Sequence, residues 1–215
     1  MCASRSRNGG KHKMPMEDKM IAESEEDIPF SPDRASCPVL TTERLTLRAP
    51  GTADAADLAR LANNIKVAAM MTGMPHPYTS GDAETFIRRV AEPDRTGCTY
   101  AVSSNQTNSV LGCAGLTFDK DNRLQLGFWL GEPHWGKGYA TEAAHALVDL
   151  AFEAFNVARL HTRCRVSNNA SRRVIEKCGF QFTGIGLLNS IAVGQFSAEH
   201  FTLERRVWTS LKGWR

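Results

Sequence analysis

Hydrophobic residues recur along this chain with two different periods, and the switches between them mark out its elements. In RLTLRAP (Arg44–Pro50), Leu45 and Leu47 alternate with Arg44, Thr46 and Arg48, the period-two signature of a strand. In TADAADLARLANN, Ala55, Leu58, Ala59 and Ala62 fall on one helical face, with Thr52 or Asp54 available as a cap. Pro75 and Pro77 break MTGMPHPYTSGD into a loop, and a second helix is predicted over about Asp82–Ala91. The period then returns to two. CTYAVSS, VLGCAGLTF and RLQLGFWLG (Arg123–Gly131) read as strands joined by the polar turns NQTNS and DKDN. A long helix follows, its apolar stripe formed by Ala140, Ala143, Ala144, Leu147, Leu150, Ala151 and Ala154. RLHTRCRVS (Arg159–Ser167) is a strand and NASRRVIEKCG a short helix ending at Gly179. FQFTGIGLL is a further strand, and a last one covers about Glu199–Val207.

This order predicts an α/β fold: a single mixed, mostly antiparallel sheet of about seven strands, flanked by about four helices. Residues 1–37 stand apart. A basic block is followed by the acidic run EDKMIAESEEDIP, with few large apolar residues to offset the entropy of ordering. A disordered tail over 1–37 and one folded domain over 38–215 are expected.

Composition narrows the classes. A chain of 215 residues suits one domain, and 42% hydrophobic with 23% charged residues is ordinary for a soluble protein. A net charge of +3 is too small to imply nucleic-acid binding. No stretch approaches the ~20 apolar residues of a membrane span, and MCASRSRNGGKHKMP lacks the apolar block of a secretory signal. Cys2, Cys37, Cys98, Cys113, Cys164 and Cys178 are scattered without a C-x-x-C pair. That spacing argues against a zinc site and a disulfide framework, so a cytoplasmic location with reduced thiols is expected.

The candidate chemistry lies in GEPHWGKGYATEA (Gly131–Ala143), between a strand and the long helix. Gly131, Gly136 and Lys137 fit a G-x-x-x-x-G-K frame, but Gly138 stands where a magnesium-binding Ser or Thr is required. A glycine turn running into a helix start can still bind pyrophosphate without metal, through main-chain N–H groups and the positive helix end. It can equally be a strand-to-helix turn with glycines for geometry alone.

A second motif, NNASRRVIEKCGF (Asn168–Phe180), directly follows the Arg159–Ser167 strand. Taken with WGKGYATEA, it resembles the GNAT superfamily of acetyl-CoA-dependent N-acetyltransferases. TTERLTLRAP and GFWLGEPHWGKGYATEA resemble in particular the RimJ/RimL-like branch of ribosomal-protein N-terminal acetyltransferases, and the resemblance spans about Leu40–Trp208. It implies the GNAT fold, with a V-shaped split between the Arg123–Gly131 and Arg159–Ser167 strands, and acetyl-CoA as cosubstrate with no metal. The pyrophosphate frame maps to Trp135, Gly136, Lys137, Gly138, Tyr139 and Ala140, with Trp135 standing where many relatives have Gln or Arg. Thr141 would add a hydroxyl. Main-chain groups of Phe128, Trp129 and Leu130 would meet the pantetheine arm, an N–H at Leu130 polarising the acetyl carbonyl, although these side chains also read as core. Asn168 would contact the pantetheine region and Ser171 would protonate the departing thiolate; both also read as an N-cap and a first-turn residue. Arg172, Arg173, Glu176 and Lys177 read as a charged outer face, from which one Arg could reach the cofactor's phosphate.

The chain also departs from the family's pattern. Tyr78, Tyr100 and Tyr139 all precede the last motif, so the tyrosine with which many relatives protonate the thiolate is missing, leaving Ser171 and then Ser190. Gln125 stands where relatives often carry a Glu base, leaving a water relay, His76 or, more weakly, His161. The acceptor implied is a primary amine, on a protein N-terminus or a small molecule. Near-neutral LLNSIAVGQFS speaks against a strongly cationic one. Neither nucleic acid nor membrane is an expected partner, and the resemblance implies a homodimer. Two rivals are a non-catalytic acyl-CoA-binding or regulatory protein on the same fold and a nucleotide-dependent transferase.

Overall fold

The two hydrophobic periods become eight strands and six helices in a computed structural model, which describes residues 37–92 and 97–213. In chain order these are β1 (Leu40–Thr41), β2 (Leu45–Arg48), α1 (Ala55–Ala62), α2 (Ile65–Ala68), α3 (Ser80–Val90), β3 (Gly97–Ser104), β4 (Val110–Phe118) and β5 (Leu124–Leu130). Then come α4 (Tyr139–Glu153), β6 (Arg159–Arg165), α5 (Asn169–Lys177), β7 (Gln181–Ser190), β8 (Gly194–Glu204) and α6 (Arg205–Lys212). All eight strands form one sheet in the order β1-β2-β3-β4-β5-β6-β8-β7. Every neighbouring pair is antiparallel except β5 and β6, which are parallel because α4 carries the chain back between them. The expected single mixed, mostly antiparallel sheet is therefore present.

The core lies on both sides of the central strands. Ala143, Ala144, Leu147, Val148 and Ala151 of α4 bury against Leu45, Leu47, Leu116, Leu124, Leu126 and Leu160. On the opposite face, Leu58 and Leu61 of α1 meet Ala83 and Ile87 of α3 over Val110 and Cys113 of β4. The apolar stripes read from the sequence thus mark which face of each helix turns inward.

Three elements lay beyond the periodicities. β1 and α2 have two and four residues, too few to show a period. α2 is instead fixed by its cap, Asn64, whose side chain accepts the Lys66 N–H at 2.9 Å. The last strand was expected to reach Val207, but β8 ends at Glu204 and α6 begins. There Arg205 donates to the carbonyls of Val157 (3.1 Å) and Phe152 (2.9 Å), while Trp208 stacks on Phe152 and donates to Asp149 at 2.7 Å. Partners some 50 residues away turn the chain.

The expectation of six reduced thiols is corrected. Cys37 and Cys98 are disulfide-bonded across 61 residues, tying the segment before β1 to β3. Spacing could not reveal this pair, because only the folded sheet brings β3 beside that segment. Apart from Cys37, the expected disordered tail lies outside the described residues. No helix among the described residues is long and apolar enough to cross a membrane.

Candidate active site at the split between β5 and β6

β5 and β6 are in register only at Gln125 with His161 and Leu126 with Thr162. Beyond that point both strands continue but pair outward: β5 with β4 as far as Leu130 with Gly112, β6 with β8 as far as Arg165 with Ala198. The sheet therefore opens between them. The Gly131 N–H bonds the Leu111 carbonyl of β4 at 2.9 Å, so by alternation the main-chain groups of Leu126, Phe128 and Leu130 face the opening. Two contacts agree: Thr162 Oγ1 donates to the Leu126 carbonyl at 2.9 Å, and Trp135 Nε1 to the Leu130 carbonyl at 2.7 Å. The Leu130 side chain is buried, Phe128 packs against the α4 side of the core and Trp129 against the α1 side. Core side chains and available main chain thus coexist in one strand.

The loop after β5 leads directly to the start of α4. Trp135, Gly136, Lys137 and Gly138 are all exposed, and Gly136 (φ 74°) and Gly138 (φ 80°) adopt the left-handed conformation that other residues resist. A Cβ at Gly138 would also stand 3.3 Å from Arg44 Nη2. No side chain caps α4, and Glu142 N–H to the Gly138 carbonyl, at 3.1 Å, is the first bond of the helix. The N–H groups of Tyr139, Ala140 and Thr141 are consequently left outside the helical ladder at its positive end. Such a set of donors suits an anionic phosphate.

A support for this loop escaped the sequence reading. Glu142, in the first turn of α4, accepts from Thr42 Oγ1 (2.6 Å), the Arg44 N–H (2.8 Å) and Arg44 Nε (2.7 Å). Arg44 Nη1 then donates to the Lys137 carbonyl at 2.9 Å, and its guanidinium lies 4.8 Å from the centre of the Tyr139 ring. Burial works to raise the Glu142 pKa, but the bonds from Thr42 and Arg44 outweigh it and hold the carboxyl below its ordinary value. The available signal was a Glu in the first turn beside a phosphate-like loop, where an acid needs a cation nearby.

Across the opening, Asn168 caps α5 by accepting the Ser171 N–H at 3.0 Å, which leaves its amide N–H groups outside the cap. Ser171 is half-buried. Because β5 and β6 are parallel, the N-termini of α4 and α5 stand at the same end of the sheet, and the two helices pack together. The structure thus brings the two sequence motifs to one opening. Arg172 does not belong to a charged outer face as expected. It pairs with Glu199 of β8, which is only 6% exposed, and so pins α5 to the sheet. Cys164 lies alongside, its thiol pushed up to about 11 by burial and the Glu199 charge.

The candidates for proton transfer are dispersed. Gln125 donates to Asp119 at 3.0 Å at the closed end of the split. His161, its pKa lowered by burial and then by Arg123, shares a hydrogen bond with Thr202. His76 is exposed on its loop. Ser190 is buried and donates to the Met71 carbonyl at 2.8 Å, while Ile191 N–H bonds the Thr72 carbonyl and Arg165 donates to the Ala69 carbonyl. Ser190 therefore latches the β7–β8 hairpin to the loop after α2. Tyr78 and Tyr100 phenols are pushed up to about 12 by burial, and Tyr139 begins α4 beneath Arg44.

Comparison with known proteins adds independent evidence. Residues 44–181 match the family model described as an acetyltransferase (GNAT) domain. The chain is 31% identical over 150 residues to the uncharacterized N-acetyltransferase p20 of Bacillus licheniformis, an alignment covering 68% of this chain and 84% of that protein. Ribosomal-protein-S5-alanine acetyltransferase from Vibrio fischeri superposes with a TM-score of 0.67 at 17% identity, covering 80% of this chain and 98% of that one. Microcin C7 self immunity acetyltransferase MccE, solved in complex with acetyl-CoA and AMP, superposes with a TM-score of 0.65 at 20% identity, covering 83% and 99%. At these identities the two superpositions speak for the fold.

Proposed function

Because the chain belongs to the acetyltransferase (GNAT) domain family, we propose that it moves the acetyl group of acetyl-CoA to a primary amine at the split between β5 and β6. The observation that carries this reading is the break in β5–β6 pairing, which opens next to an uncapped helix start and an exposed glycine loop. The main-chain N–H groups of the Gly136–Thr141 segment would hold the pyrophosphate, with Lys137 adding charge and the Thr141 hydroxyl a further donor. The fit is supported by the left-handed Gly136 and Gly138 and by the open space that a Cβ built at Gly136 would meet, its chain neighbours aside, among the described residues. Main-chain groups of Phe128 and Leu130 would orient the pantetheine arm, and the Leu130 N–H would stabilise the oxygen of the acetyl carbonyl as the amine attacks. The Asn168 amide would reach the same arm, and the Ser171 hydroxyl would give a proton to the leaving sulfur.

In this scheme the amine attacks the thioester directly, with no covalent enzyme intermediate. Rate enhancement then comes from positioning and from one oriented dipole. Gln125 is an amide held by Asp119 and cannot accept the amine's proton, so water at the opening takes that part. The finer assignment to the RimJ/RimL-like branch rests on the TTERLTLRAP and GFWLGEPHWGKGYATEA segments.

The test is a melting experiment. Coenzyme A should raise the Tm of the wild-type protein, and Gly138→Glu should abolish that rise by setting a carboxylate and a strained backbone at the phosphate loop. No shift with the wild type overturns the cofactor assignment. The second reading, a non-catalytic acyl-CoA-binding protein, is favoured by Gln125 and by the lack of a tyrosine after Tyr139. Thiol release from acetyl-CoA in the presence of any amine excludes it.

A further inference from the structure

The face of the split opposite α4 carries a charge pattern that the loops around it do not show. On β6, Leu160 and Cys164 turn into the α4 side of the core, so His161, Arg163 and Arg165 project from the other face. Arg165 is anchored to the Ala69 carbonyl at 2.8 Å and lies 5.0 Å from the Phe196 ring. Arg163 is exposed, and among the described residues it has neither a hydrogen bond nor an ion pair. His200, its cross-strand neighbour on β8, is pushed toward the neutral form by burial and by Arg163 itself. On β5, the positions turned to this face are Gln125, Gly127 and Trp129, none of them charged.

The neighbouring carboxylates do not neutralise Arg163. Glu199 turns to the opposite face and is held by Arg172. Asp119 and Asp121 are engaged by Arg123, and Glu204 by Arg206 at 2.6 Å. Arg163 also lies beyond the last β5–β6 register pair, where β6 borders the opening itself. A cation with no partner among the described residues, beside a gap and next to a second arginine already fixed in place, attracts anions and repels a polycation.

We propose that the acceptor is an amine that also carries an anionic group, a carboxylate or a phosphate, and that Arg163 is the residue that selects it. This rests on the acetyl-transfer reading and names the substrate class of that same site. Arg163 would meet the anion as the amine enters between β5 and β6, with Arg165 holding the loop after α2 at the rim. A polyamine would bring only positive charge to the same rim and be disfavoured.

The experiment uses three C-terminally amidated peptides with the same N-terminal amine, Ala-Glu-Glu, Ala-Gln-Gln and Ala-Lys-Lys, together with spermidine and free glutamate. Thiol release from acetyl-CoA gives kcat/KM, and calorimetry gives the affinity of each amine for the protein loaded with coenzyme A. Ala-Glu-Glu or glutamate should exceed its neutral or cationic counterparts by about tenfold, and whichever of the two is better tells peptide from small molecule. Arg163→Gln should bring the Glu-to-Gln peptide ratio close to one, and Arg163→Glu should move the preference to Ala-Lys-Lys. Equal values for the three peptides, a preference for spermidine, or an unchanged ratio in Arg163→Gln overturns the inference. Tighter binding of the acidic amines without thiol release supports the charge selection while overturning acetyl transfer.

Discussion

Replacing Glu142 with Ala removes the link between the glycine loop and the entry to β2. In the native protein its carboxylate accepts three hydrogen bonds at 2.6–2.8 Å, from Thr42 Oγ1, the Arg44 main chain and Arg44 Nε. A hydrogen bond to a charged group is worth about 1.5–3 kcal/mol when well buried. Here the Glu142 side chain is 15% exposed but that of Arg44 is 42% exposed, so solvent screens the ionic part. A net loss of about 2 kcal/mol follows, and in a domain of this size it lowers Tm by about 4–8 °C. Arg44 would also lose the anchor that directs Nη1 to the Lys137 carbonyl. The loop would then sample other conformations, and coenzyme A affinity should fall about five- to tenfold. Glu142→Gln keeps one carbonyl oxygen for Thr42 and the Arg44 N–H, and should lose about half as much. The pH dependence has a definite sign. The folded-state pKa of Glu142 lies below its unfolded value, so the stabilisation is complete above the unfolded value and disappears as pH falls through the folded one. The Tm gap between wild type and Glu142→Ala should therefore be widest near neutrality and close below about pH 4. Calorimetric melting with and without coenzyme A, over a pH series, measures all of this. A Tm within about 1 °C of wild type at pH 7, together with unchanged coenzyme A affinity, would refute the buttress argument.

Two further outcomes separate fold from function. Asn168→Ala removes the α5 cap and should cost about 1 kcal/mol of stability. Asn168→Asp keeps the cap, so a loss of coenzyme A affinity shared by both variants reports the amide's contact with ligand; equal affinity in Asn168→Asp and wild type would remove Asn168 from the binding site. Arg172→Ala strands the Glu199 carboxylate in the sheet and should destabilise the protein by about 3 kcal/mol in denaturant melts. The double change Arg172→Met with Glu199→Leu should recover most of it, because the pair already buries Arg172 Nε and Glu199 Oε2 without partners. A double variant no more stable than the single one would show that the pair stabilises α5 beyond its desolvation cost.

Much of the candidate site's geometry was legible because it is local. Gly136 and Gly138 are glycines for the left-handed turn they make, and the uncapped start of α4 follows within a few residues of them. Asn168 and Ser171 sit three residues apart, so their cap bond is a matter of one helical turn. Less legible were the residues whose partners come from distant elements. Arg172 read as a solvated charge because Glu199 lies 27 residues on, and only the insertion of β8 between β6 and β7 brings the two together. Ser190 read as a candidate acid, and its hydroxyl is engaged by the Met71 carbonyl, 119 residues away.

By itself, the sequence determined the periods, the turn chemistry and the two glycine- and asparagine-led motifs, since each depends on the conformational needs of residues within about one turn of each other. The tertiary structure decided which charges meet. With 26 Lys and Arg against 23 Asp and Glu, composition permits far too many pairings to choose among. Burial of the α4 and β-strand faces selects one by fixing which strands are neighbours. That selection ties Arg44 to Glu142 behind the glycine loop, turns Glu199 away toward Arg172, and leaves Arg163 exposed on the opposite face of the sheet with no ion pair among the described residues.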